Sequence, residues 1–406
     1  MKVIERKYLL PFVLVTSLFA LWGLANNMTD TLLAAFKRIM SMSDTQTSFI
    51  QMAFYGAYFC LALPAALFIR KHSYKSGVIL GLVLYALGAI LFLPAAGVAS
   101  YAFYLLTIYI MAAGCSVLET TANPYIMSMG SPETATRRLN IAQSFNPIGS
   151  ILGILVSKYF ILQDISLYSV SGTYTAVGVV LLAIMMVMLF VKMPEGKDSA
   201  SASSLKGTFG RLFNNKKYLG GVIAQFFYVG AQIGVWSFTI RLVMKELDML
   251  EAQAATLYLI SIIGFCVSRF AYTWLMKYVT PQRLLVAGSI LSAACALLVV
   301  LSNGWVAVIA LVLVSVFMSL MFPTIYGIAL GSVSQSEHSD DTKIGASGLI
   351  MAILGGALIT PLQGMVSDAA GINTSYLVPM FCFLVVLSYA LSTKKITNHY
   401  SPFTIH

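Results

Sequence analysis

Twelve apolar runs in this chain are long enough to cross a lipid bilayer. Hydrocarbon about 30 Å thick needs about 20 helical residues at a rise of about 1.5 Å each. The runs cover approximately residues 9–36, 45–69, 77–96, 101–127, 139–162 and 173–192. A second set covers 218–243, 252–276, 283–302, 305–332, 343–366 and 374–393. Of 406 residues, 59% are hydrophobic and 10% charged, against about 25% charged in a soluble domain. A water-facing surface cannot be built from that, and the mean hydropathy of +0.85 agrees. The chain reads as an all-α polytopic membrane protein.

The first run follows Lys2, Arg6 and Lys7, as a signal sequence would. It is too long and lacks a small-residue cleavage site, so it reads as an uncleaved first helix. Basic residues then set the orientation. With the N-terminus inside, Arg70, Lys71, Lys75, Arg137, Arg138, Lys277, Arg283 and Lys343 fall in inner loops. So do the Lys-rich centre and the tail residues Lys394 and Lys395, while the outer side keeps Lys37, Arg38, Lys158, Arg241 and Lys245. Both termini are expected to be cytoplasmic. The net charge of +10 is then topology and attraction to anionic lipid, with no nucleic-acid partner implied. Five cysteines without paired spacing and four histidines in loops or tail suggest no disulfide framework, metal site or cofactor.

The only long polar segment, PEGKDSASASSLKGTFGRLFNNKK at 194–217, reads as a flexible cytoplasmic linker. It separates residues 1–193 from 218–406, six runs on each side. One offset of 206 places Ala25 on Ala231, Asn26 on Gln232, Lys71 on Lys277 and Gly149 on Gly355. A shared offset across separate regions argues for duplication. Two six-helix halves related by an axis along the membrane normal form the major facilitator architecture, with the ligand bound between them near the midplane.

Polar residues inside the runs mark where that ligand would sit. Two acids lie well inside: Asp30, in ANNMTD of the first run, and Glu119, in LETTANPY of the fourth. A carboxylate at helix centre costs about 2.5–3.5 kcal/mol on insertion scales, so it faces a cavity or a partner. Asn26, Asn27 and Asp30 share one helical face, with Trp22 one turn before Asn26. Asn123 follows Glu119 by one turn, and Pro124 is expected to bend the inner part of that helix. The fifth run puts Gln143, Asn146 and Ser150 on one face; the seventh does so with Gln225, Tyr228, Gln232 and Trp236. Each amide alone has a plainer reading as interhelical glue. Together, amides, carboxyls and flat rings are the chemistry that sugar hydroxyls and apolar sugar faces require. Either acid can serve as a proton carrier, since a carboxyl in an apolar wall exchanges its proton near neutral pH. Arg269, the one clear cation within a run, reads as a snorkelling side chain or a latch between the halves.

The stretches FALWGLANNMTD, LETTANPY, RLNIAQSFN, AQFFYVGAQ, MFPTIYGIALG and GMVSDAAG resemble the fucose:proton symporter family of the major facilitator superfamily. The paired asparagines are closer to its L-fucose branch than to its glucose/galactose branch. The resemblance implies an acid on the first helix that takes the proton, at Asp30, and one on the fourth that couples proton to sugar, at Glu119. It places family sugar contacts on Asn27 and Gln143, extends the candidate set to Tyr326, and implies a monomer in a bacterial inner membrane. RKHSYKSG, between the second and third runs, departs from the superfamily pattern in lacking an acid. The expected function is proton-coupled import of a hexose, L-fucose first, by alternating access. A glucose/galactose symporter, coupled to protons or Na⁺, is the second reading. A membrane-embedded enzyme would need large hydrophilic loops and a metal-ligand or nucleophile cluster, which this sequence lacks.

Asp30→Asn keeps the side-chain shape and removes the proton site. Proton-driven accumulation in proteoliposomes is expected to vanish, while sugar-for-sugar exchange, which moves no net proton, survives. Normal uphill uptake by this variant would take Asp30 out of the mechanism.

Overall fold

A computed structural model describes residues 3–41, 44–161, 166–194, 204–333 and 339–393. Twelve helices in it are long and apolar enough to cross a membrane. Helices α1 (Leu9–Ile39), α2 (Asp44–Lys71), α3 (Tyr74–Val98), α4 (Tyr101–Ser128), α5 (Pro132–Ile161) and α6 (Leu167–Phe190) form one half. Helices α7 (Lys216–Leu247), α8 (Glu251–Leu275), α9 (Pro281–Leu301), α10 (Gly304–Gly331), α11 (Asp340–Ala370) and α12 (Ile372–Ser392) form the other. An even number of crossings puts Leu9, at the start of α1, and Ser392, at the end of α12, on one face, the near face; the opposite face is the far face. Serines start three of the helices: Ser73, Ser100 and Ser166 accept from the backbone N–H of Ser76, Phe103 and Ser169. Such caps satisfy N–H groups that the first helical turn leaves free.

The structure extends two expectations. The fifth helix begins before 139, because Arg138 is a helical residue and not a loop cation. Its guanidinium is buried and donates to the carbonyls of Ile126 and Met127 at the end of α4, and to that of Val3. A cation against a helix C-terminus meets both its hydrogen-bond need and the helix dipole. The segment read as flexible linker also contains a helix, Leu205–Asn214. Ser204 caps its start, and Thr208 and Leu212 are buried. Arg211 makes two hydrogen bonds of 2.6 Å to Asp341 of α11, which tie this linker helix down. A composition rich in Ser and Lys hides the two buried positions. Helix α4 runs unbroken through Pro124.

The repeat at offset 206 recurs in three dimensions. In the first half α1 packs on α5, and a Cβ at Gly149 would overlap the Ala20 carbonyl oxygen. In the second, α7 packs on α11, and a Cβ at Gly355 would overlap the Phe226 carbonyl oxygen. Positions 20 and 226, like 149 and 355, differ by the same 206. Only glycine permits so close a backbone approach, and small residues are how membrane helices come into contact where hydrophobicity gives no drive. Between the halves, α2 packs on α11 and α5 on α8, which are again equivalent pairs. Helix α5 is interrupted at Ser144–Phe145, and α10 at Ser319–Leu320.

Gly149→Val and Gly355→Val are each expected to lower stability in detergent by about 1–3 kcal/mol through overpacking. Gly97→Ala, whose added Cβ meets no atom within 4 Å, should melt with the unaltered protein.

Candidate functional site

Between the halves lies a cavity of about 300 Å³, at the small end of ligand pockets. One wall carries Asn27 of α1, Tyr55 and Tyr58 of α2, Glu119 of α4, and Gln143, Asn146 and Ser150 of α5. The other carries Gln232 and Trp236 of α7, Tyr258 and Arg269 of α8, Phe322 of α10 and Ile353 of α11. Eight residues singled out in the sequence thus line one cavity: Asn27, Glu119, Gln143, Asn146, Ser150, Gln232, Trp236 and Arg269.

Several lining side chains are held in place by hydrogen bonds. Gln143, 3% exposed, donates from Nε2 to Asn123 Oδ1 at 3.0 Å, and the Glu119 carboxyl lines the same wall. Asn146 donates from Nδ2 to the Phe19 carbonyl at 3.2 Å, leaving its Oδ1 for the cavity, and Asn27 donates to the Gly23 carbonyl at 3.2 Å. Trp236 donates from Nε1 to Ser315 Oγ at 3.3 Å and meets the Phe265 ring edge-on at 5.0 Å. Its indole is fixed at both ends as a rigid flat surface. The arrangement offers donors, acceptors, one carboxyl and an aromatic face, which suits a small polyhydroxylated ligand.

Other candidates sit away from this wall. Trp22 is buried, donates to the Cys115 carbonyl at 3.1 Å and packs against Phe19, so its ring joins α1 to α4. Asn123 lies fully buried behind Gln143. Tyr228 and Tyr326 are fully buried on either side of Phe322. Gln225 is fully buried, with both side-chain polar atoms unpaired among the described residues. Asn26 and Asp30 lie in α1, and their side chains lie outside the described residues. Tyr55, Tyr58 and Tyr258 were not legible as cavity residues, since an aromatic in an apolar run faces lipid as readily as a cavity.

Toward the far face the lining reaches Ile240 of α7 and Tyr258 of α8; on the near side, contacts join the halves. Asn140 Nδ2 donates to Thr324 Oγ1 at 3.3 Å, and the hydroxyls of Ser144 and Thr273 lie 3.2 Å apart. Arg70 at the end of α2 pairs with Asp340 at the start of α11 at 3.0 Å, with both side chains largely buried. Lys343 stands over the Tyr74 ring at 5.5 Å.

The sequence of residues 13–340 matches the description of the Major Facilitator Superfamily. The chain belongs to that superfamily. It is 41% identical to the L-fucose-proton symporter of Haemophilus influenzae, over 97% of this chain and 99% of that one. It is 31% identical to the glucose/galactose transporter of Brucella abortus, over 96% of each. Its backbone is similar to the crystal structure of the superfamily transporter FucP in the outward conformation, with a TM-score of 0.86 and 35% identity, covering 96% of this chain and 99% of that one. Arg70, the first residue of RKHSYKSG, takes its carboxylate partner from across the interface, at Asp340.

Gln143→Ala is expected to weaken binding of a polyhydroxylated ligand by about 1–3 kcal/mol, the cost of leaving a buried polar partner unsatisfied. Gln225→Leu, behind the wall, should change affinity by less than about twofold. Fluorescence of Trp236 reports both; the opposite ranking would move the ligand out of this cavity.

Proposed function

We propose that this chain imports L-fucose together with a proton across a bacterial inner membrane, by alternating access of the cavity between its two halves. The observation that carries the reading is a carboxyl, Glu119, in a wall of amides opposite the rigid Trp236 ring. L-Fucose presents hydroxyls and a methyl-bearing apolar face, which match those two surfaces. Higher identity to the L-fucose-proton symporter than to the glucose/galactose transporter supports the same choice of sugar.

The near face is taken as cytoplasmic from the placement of basic residues. The cavity then faces outward, ready to take sugar, with its cytoplasmic side latched. Residues 1–193 and 218–406 act as the two rocking bodies and 194–217 as their connection. One chain suffices, because both walls of the cavity come from it. Asp30 is the proton-loading group and Glu119 the coupling group. The driving force is adequate: about 2.3 kcal/mol per charge per 100 mV corresponds to roughly fiftyfold accumulation.

Coupling follows from what each form of Glu119 can bond. Neutral, it donates and accepts; ionised, it only accepts. A sugar hydroxyl between Glu119 and Gln143 uses both abilities, so sugar binds the protonated form better. By linkage, sugar affinity falls as pH rises through the titration of Glu119.

Counterflow in proteoliposomes with L-fucose, D-glucose and D-galactose tests the substrate, and L-fucose is expected to exchange fastest. For coupling, L-fucose binding is followed by tryptophan fluorescence between about pH 5 and pH 9. Glu119→Gln should bind with a much flatter pH profile and fail in net proton-coupled transport. Identical profiles for the two proteins would leave Glu119 a plain ligand contact.

A further inference from the structure

Arg269 is 3% exposed, and no carboxylate pairs with it among the described residues. Its Nε donates to the Ser319 carbonyl of α10 at 2.6 Å, and its Nη1 to the Gln143 carbonyl of α5 at 3.1 Å. The guanidinium lies over the Phe265 ring at 4.5 Å, with Tyr228 and Cys266 as its other neighbours. A buried cation met by two neutral carbonyls is unusual, because a helical carbonyl is normally spent on the N–H four residues ahead.

The sequence explains why both carbonyls are free. Four residues after Gln143 stands Pro147, and four after Ser319 stands Pro323. Proline has no N–H to give, so each carbonyl loses its helical donor at the same place where its helix is interrupted. One of these carbonyls belongs to the first half and the other to the second. The side chain of Gln143, on the same residue as the captured carbonyl, bonds Asn123 and lines the cavity wall together with Glu119.

We infer that Arg269 is a positioning residue of the transport cycle: it closes the cavity floor by bridging two proline-freed carbonyls, one on each half, and thereby holds Gln143 beside Glu119. This deepens the alternating-access reading and rests on it. A bond to a neutral carbonyl suits a latch that must open each cycle, since releasing it strands no carboxylate in a dry site. The Ser144–Thr273 and Asn140–Thr324 contacts lie in the same layer and part with it.

Pro147→Ala tests this without touching the cation. The new N–H can recapture the Gln143 carbonyl into the helix, and Arg269 loses its partner across the interface. Hydrogen–deuterium exchange of the full-length protein in nanodiscs should then quicken roughly tenfold in the near-face halves of α5, α8, α10 and α11. Far-face segments should slow, because the population moves toward the inward-open state. Arg269→Gln should give the same asymmetric shift, and the double variant no more than the larger single effect. Pro361→Ala in α11, remote from Arg269, should leave exchange unchanged. No shift in Pro147→Ala, equal quickening at both faces, or additive effects in the double variant would each overturn the latch. If Arg269→Gln does not fold, Pro147→Ala decides alone. L-Fucose added to the unaltered protein separates the two readings: an exchange pattern indifferent to sugar, with the Pro147→Ala shift intact, sinks the sugar-transport reading and leaves the latch.

Discussion

In hydrocarbon an unpaired backbone carbonyl or N–H costs several kcal/mol, and no water stands ready to relieve it. That obligation determines where these twelve helices can break and what must stand beside each break. The interruptions ahead of Pro147 and Pro323 lie against the Arg269 guanidinium, which accommodates the carbonyls of Gln143 and Ser319. The end of α4 lies against Arg138, which takes the carbonyls of Ile126 and Met127. The end of α6 lies against Lys75, which takes those of Leu189 and Val191. In each case a cation resides where a helix leaves carbonyls free. Cations placed by this rule also tie one helix to the next, so backbone satisfaction and tertiary fold are met by the same bonds.

The cavity is the counterpart of this economy. Polar groups that line it are partly committed: Gln143 to Asn123, Asn146 to Phe19, Trp236 to Ser315. Those bonds fix rotamers at little cost in ligand-binding capacity, because each amide retains unspent donors or acceptors. Preorganisation of this kind reduces the ordering cost of binding a small, flexible set of hydroxyls.

The closure on the near face draws on both repeats and on the linker. Adjacent acids at the start of α11 are divided between two bodies, Asp340 taking Arg70 of the first half and Asp341 taking Arg211 of the linker helix. A buried ion pair contributes little net stability and much to register. The pair on Arg70 sets how α2 and α11 meet, and the pair on Arg211 sets where the linker helix lies.

Class, crossing number and duplication were legible in the sequence because each depends on local or periodic properties. Apolar length sets the crossings, and the common offset of Gly149 and Gly355 survives because both positions need a residue without a Cβ. Asn27, Glu119, Gln143, Asn146, Gln232 and Trp236 were legible because polar side chains in apolar runs are costly and therefore informative. What the sequence could not separate was a polar group facing the cavity from one buried behind it: Gln143 and Gln225 look alike in one dimension. Nor could it show that Arg138 belongs to a helix, that part of the linker is ordered by Asp341, or that Arg269 spans the halves. Those outcomes depend on which carbonyls and carboxylates come within about 3 Å in the folded chain. The deciding partners include pairs more than a hundred residues apart, as Arg269 is from Gln143 and Arg211 from Asp341, and only tertiary packing brings them together.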